Sequence, residues 1–229
     1  MKKKTTLEQT WLGKMRSGQK HFDQGQPDKA VKAFRKAAKL CPQRAESWVN
    51  LGSALLEAGQ YDQSRVALEK ALALEPELML AHMILGDTLR ELGRWPGALA
   101  SYQKALSLER TPLALNKLAC ALGVENKQEQ AEGLYLEAIE RDPEFTIARV
   151  NLATLQIERG RFDQAREHLS RLQHLSLPPP ERHKVASSQL AIAEYFRLTD
   201  AITLLNDKGD TFTLETTLRS TPEEMLNLL

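Results

Sequence analysis

Histidine and cysteine are the side chains most often used to hold a metal or attack a substrate, and the chain has five of the first and two of the second: His21, His82, His168, His174 and His183, with Cys41 and Cys120. A metal site needs its ligands at short spacings that bring them to one face of an element. The closest pair, His168 and His174, is six residues apart, which sets the two rings on different sides of a helix. They are expected to be surface or packing residues. Cys120 has no histidine or basic residue beside it to draw its thiol toward the thiolate, so lining or packing is its expected role. Glycine-rich phosphate loops, a nucleophile elbow and a dinucleotide fingerprint do not occur. The expectation is a chain with no cofactor, no metal and no catalytic residues, and therefore not an enzyme.

Composition narrows the class further. Of 229 residues, 42% are hydrophobic and 27% charged, enough apolar material for one extended domain with a continuous core. Net charge is +1, yet residues 1–44 carry +9 and the rest −8. A basic end can meet an acidic protein, nucleic acid or lipid headgroups, although an ordinary solvated face explains it as well. The three tryptophans fall mainly at repeating positions, which does not make a stacking platform, so nucleic acid is not the expected partner. Met1-Lys2-Lys3-Lys4 is followed by Thr5-Thr6 instead of an apolar core, so no export signal is expected, and no apolar run is long enough for a membrane span. Two cysteines in distant segments fit a reducing compartment, and cytoplasm is the expected location.

The elements that position these residues recur. Gly25-Gln26-Pro27-Asp28-Lys29-Ala30 returns as Gly59-Gln60-Tyr61-Asp62-Gln63-Ser64, Gly93-Arg94-Trp95-Pro96-Gly97-Ala98, Asn126-Lys127-Gln128-Glu129-Gln130-Ala131 and Gly160-Arg161-Phe162-Asp163-Gln164-Ala165, at intervals of about 34 residues. Before Gly59, Trp48, Leu51, Gly52 and Leu55 fall at i, i+3, i+4 and i+7, one face of a helix. Gly59 supplies the left-handed residue that ends it. A second helix begins near Asp62, lines its inner face with Ser64, Leu68 and Ala71, and stops before Pro76. Small residues recur where paired helices must approach: Gly18, Gly52, Gly86, Ala119 and Ala153, then Ala30, Ser64, Ala98, Ala131 and Ala165. Bulky ones recur as Phe34, Leu68, Tyr102, Tyr135 and Leu169.

This pattern resembles the tetratricopeptide repeat family, and the resemblance implies an all-α fold, an α-α superhelix in which helix hairpins stack as a right-handed solenoid. The expected organisation is a basic N-terminal tail (1–10), then five repeats over 11–179 (11–44, 45–78, 79–111, 112–145 and 146–179). A degenerate sixth repeat or pair of capping helices (180–207) and a C-terminal tail with a short apolar helix (208–229) complete it. That last helix is read from Thr221-Pro222-Glu223-Glu224, a capping box, followed by Met225-Leu226-Asn227-Leu228-Leu229.

The resemblance also implies that the first helix of each hairpin offers a stripe to a peptide on a concave side. Repeat position 2 carries Leu12, Glu46, Leu80, Leu113 and Ile147, and position 5 carries Met15, Val49, Met83, Asn116 and Val150. Position 6 carries Arg16, Asn50, Ile84, Lys117 and Asn151; Gln19, Ser53, Asp87, Cys120 and Thr154 follow, then Arg90 among others. The expected groove is Met15, Arg16, Gln19, Asn50, Ser53, Leu80, Met83, Ile84, Asp87, Arg90, Leu113, Asn116, Lys117, Asn151 and Thr154. Arg16, Ile84 and Lys117 interrupt the family's asparagine ladder, and Met15, Leu80 and Ile84 replace residues of its carboxylate clamp, so a receptor for acidic chaperone tails is not implied. The expected function is a noncatalytic interaction module, an adaptor, scaffold or chaperone-like protein, binding a peptide or amphipathic helix. The alternative is the recognition arm of a glycosyltransferase or methyltransferase whose catalytic domain lies elsewhere. Self-association through the C-terminal helix is a further expectation.

Overall fold

A computed structural model describes residues 2–172 and 178–207, with side chains from Thr6 to Leu172 and, apart from Pro179, from Pro178 to Arg197. Every element among them is helical: α1 (Lys2–Asp23), α2 (Pro27–Leu40), α3 (Ala45–Glu57), α4 (Tyr61–Leu74), α5 (Met79–Glu91), α6 (Trp95–Leu108), α7 (Pro112–Val124), α8 (Gln128–Arg141), α9 (Thr146–Glu158), α10 (Phe162–Ser170) and α11 (Pro179–Asp207). The chain forms two compact units, residues up to Ala121 and residues from Leu122, with the boundary inside α7. In the first, α1 pairs with α2, α3 with α4 and α5 with α6, while α2 also packs on α3 and α4 on α5. In the second, α9 packs on α8 and α10, and α11 lies against α9 and α10.

Turn chemistry makes the hairpins. Gly25, Gly59, Gly93 and Gly160 have φ between 63° and 70°, and Asn126 has φ 61° at the equivalent place. Each closes its helix the same way. The Gly59 N–H donates to the Leu56 carbonyl at 2.9 Å and the Gln60 N–H to Leu55 at 2.8 Å; at the fourth turn the Asn126 N–H reaches Gly123 at 3.0 Å and the Lys127 N–H reaches Leu122 at 2.9 Å. With the chain reversed, the small positions let the pair close. A Cβ on Gly18, Gly52 or Gly86 would sit 2.5, 2.6 or 2.4 Å from Phe34, Leu68 or Tyr102 respectively, so each bulky residue of a second helix fills the space left by a glycine of the first.

Two expected boundaries need correction. Residues 2–10 are the first turns of α1, not a tail: nothing there breaks a helix, and Glu8 pairs with Arg44 at 2.7 Å. The hairpin expected over 180–207 is one helix, α11, because between Pro180 and Asp207 no glycine or proline offers a turn. Its buried residues Val185 and Ile192 join Val150, Ile157, Phe162 and Leu169 in one core, and the Tyr195 ring stacks on Phe162 with centroids 3.8 Å apart. The C-terminal segment 208–229 and His174 lie outside the described residues.

Candidate functional site

The first helices carry the face on which a ligand was expected, and burial divides it. At repeat position 2, Leu12 on α1, Leu80 on α5 and Leu113 on α7 are 40%, 54% and 44% exposed. Large aliphatic side chains left open at the same position of three first helices within one unit make an unusual surface. Glu46 holds this position on α3 and is exposed; Ile147, in the second unit, is half-buried.

Position 5 behaves differently. Met15, Val49, Met83, Asn116 and Val150 are all buried, and Ile84 at position 6 is buried too. Met15 belongs to a core with Trp11, Val31, Phe34 and Leu51, and Ile84 to another with Val49, Leu68 and Ala81. Met15, Met83, Ile84 and Asn116 are therefore packed among the helices. These positions face the neighbouring helices, where the same apolar types serve the core. Arg16 and Gln19 stay exposed, Asn50 and Ser53 half-buried.

The polar members of the face are largely engaged, one pair with each other and the rest with neighbouring groups. The Lys117 ammonium donates to both Asp87 carboxylate oxygens, at 2.8 and 2.9 Å, and the Tyr102 hydroxyl donates to Asp87 Oδ1 at 2.7 Å. Burial first, and then the Asp87 charge, raise the Tyr102 phenol far above its ordinary range, so it remains a donor. Arg90 pairs with Glu91 at 2.6 Å, and Gln19 donates to Asp23 at 2.7 Å. In the second unit Asn151 accepts from Lys184 at 3.3 Å, and the Thr154 hydroxyl donates to the Val150 carbonyl at 3.0 Å. Cys41 and Cys120 are not joined in a disulfide, and each is half-buried. Among the described residues no three histidine, cysteine, aspartate or glutamate side chains come together as a metal site, and no helix is long and apolar enough to cross a membrane.

One recurring contact had no place in the sequence reading. Trp48 Nε1–H donates to the Pro42 carbonyl at 2.8 Å, His82 Nε2–H to Pro76 at 2.9 Å, and an Arg149 Nη2–H to Pro143 at 3.1 Å. Three unlike donors, each six residues after a closing proline, do one job. Each ties the start of a hairpin to the end of the one before it. The spacing was visible in the sequence; the shared role was hidden because tryptophan, histidine and arginine are not usually read as equivalents.

Three family models, described as tetratricopeptide or TPR repeats, match residues 18–59, 49–114 and 125–179. Among solved structures, one of Pseudomonas aeruginosa pilF is 16% identical with a TM-score of 0.72, covering 85% of this chain and 88% of that one. A thermophilic TPR protein of Thermus thermophilus is 21% identical with a TM-score of 0.67, covering 79% and 99%. YrrB, described as a TPR protein with an unusual peptide-binding site, is 19% identical with a TM-score of 0.59, covering 77% and 90%. No curated protein matches the chain.

Proposed function

Since the chain belongs to the tetratricopeptide repeat family, we propose that it is a noncatalytic interaction module that takes an apolar-faced peptide or amphipathic helix on the first-helix surface of its N-terminal unit. The observation that carries this reading is the exposure of Leu12, Leu80 and Leu113 at one repeat position. Exposed leucines recover free energy only when something covers them. The Asp87–Lys117 pair, held by Tyr102, supplies a fixed polar mark beside that stripe. Arg16 and Asn50 supply donors and acceptors for a bound backbone.

The test is a double substitution, Leu80→Glu with Leu113→Glu, read by crosslinking and mass spectrometry from a photoreactive residue at Arg16 in native lysate. Both leucines are exposed, so helicity should be unchanged while the captured polypeptide is lost. Capture that persists at the parental level would dispose of this surface. If the captured species is a catalytic subunit of glycosyltransferase or methyltransferase type, the chain is that enzyme's recognition arm instead.

A further inference from the structure

A second surface lies away from the first-helix stripe, where the second helices of neighbouring hairpins leave a cleft of about 430 Å³ between α2 and α4. Its inner end touches the edges of Leu51 and Leu55, both buried in the core beneath, and its open apolar wall is Val66 beside the half-buried Trp48. Val66 is 42% exposed, so the apolar wall is open to an incoming group. The rim is cationic. Arg35 and Lys39 on α2 border the opening and carry its charge, Arg35 also donating to Gln63 at 2.7 Å; Arg65 lines it from α4 but is paired with Glu69 at 2.7 Å, and Asp62 is the one acid among the lining residues. The Lys70 ammonium sits 4.6 Å from the centroid of the Trp48 ring. Beyond the rim, α2 presents Lys29, Lys32 and Lys36 to solvent against the single acid Asp28.

We propose that this cleft docks the segment Thr221–Leu229 of a second copy of the chain. The cleft calls for apolar side chains attached to negative charge, and the segment has that makeup: Glu223 and Glu224, no cation, then Met225, Leu226, Leu228 and Leu229. Its leucines would pack on the open wall of Val66 and Trp48 while its glutamates meet Arg35 and Lys39. The first-helix stripe suits such a segment less well, because Lys117 is already neutralised by Asp87 and Glu46 interrupts the leucines. Nucleic acid would satisfy the rim but leave the exposed Val66 without a use. The docking depends on neither Leu80 nor Leu113, so it stands or falls apart from the reading of that surface.

The experiment is fluorescence anisotropy of a labelled peptide of residues 221–229 titrated with the full chain, beside sedimentation equilibrium of the full chain. The peptide should bind saturably. Arg35→Glu with Val66→Glu should weaken it by about tenfold or more, as loss of a central contact together with its charge partner does. Lys39→Glu should weaken it in the same direction, and Leu80→Glu with Leu113→Glu should leave it unchanged. Arg35, Lys39 and Val66 are all exposed, and circular dichroism checks that the variants fold. The full chain should associate with rising concentration, and removal of residues 221–229 should leave it monomeric. No peptide binding, binding indifferent to the cleft substitutions, or full displacement by a single-stranded oligonucleotide would overturn the assignment. So would a full chain that stays monomeric while its truncated form binds peptide more tightly, since the segment would then occupy its own copy.

Discussion

The packing of Gly86 against Tyr102 shows how finely a repeat reads its residues. An added methyl there would meet the ring at 2.4 Å, whereas one on Gly13, also inside a helix, would meet nothing within 4 Å. Gly86→Ala should therefore cost about 1 to 3 kcal/mol as an overpacked core does, and Gly13→Ala should stabilise by roughly 0.5 to 1 kcal/mol through helix propensity. Denaturant midpoints of the two variants should move in opposite directions. His168 gives a pH signature. Burial first, and then the Arg149 charge, hold its imidazole below its ordinary range; Arg171 adds to this, while Glu167 and Glu132 oppose it. The unfolded chain then takes up the proton more readily than the folded one, so stability falls as pH drops below about 6.5, the ordinary value for the side chain. His168→Gln should flatten that decline in melting temperature between neutral and mildly acidic pH. The small and bulky partners of each hairpin were legible in the sequence because steric exclusion acts within one repeat. The burial of Met15 and Met83 was not, because an apolar residue at position 5 reads alike whether it faces a neighbouring helix or a ligand.

Among the elements, the turns decide the architecture, and four of the five close on glycine. Asn126 adopts the same left-handed conformation with φ 61°, tolerable for asparagine but without strain only for glycine. Asn126→Gly should raise the melting temperature slightly, reflecting a few tenths of a kcal/mol from relieved backbone strain, less the cost of a more flexible unfolded chain. An unchanged or lower value would mean that the entropic term wins. Helix existence was legible from the recurrence of glycine, acid and proline, since each acts on the backbone locally. The ends were less so. Lys2-Lys3-Lys4 read as a tail on charge alone, and α11 read as a hairpin on the analogy of five earlier repeats, although the sequence supplies no residue to turn it.

At the scale of the molecule, repetition hides a difference between the two units. In the first, glycines admit Phe34, Leu68 and Tyr102 and leucines lie open at position 2. In the second, Ala153 takes the small position, and a shared carboxylate binds neighbouring segments: Glu132 accepts from Arg159 at 2.6 Å and from Arg161 at 2.9 and 3.0 Å. The sequence showed the repeats but not the division, because the boundary inside α7 follows contact density, which periodicity does not report. The long helix α11 gives the array a direction. It lays Val185, Ser188 and Ile192 inward while Arg182, His183, Gln189 and Arg197 face water. Hairpins spliced in ahead of Pro178 would find a greasy neighbour to rest on, whereas hairpins grafted behind α11 would meet a face that is polar apart from Leu190, so lengthening this protein by design is easier from the first side than from the second.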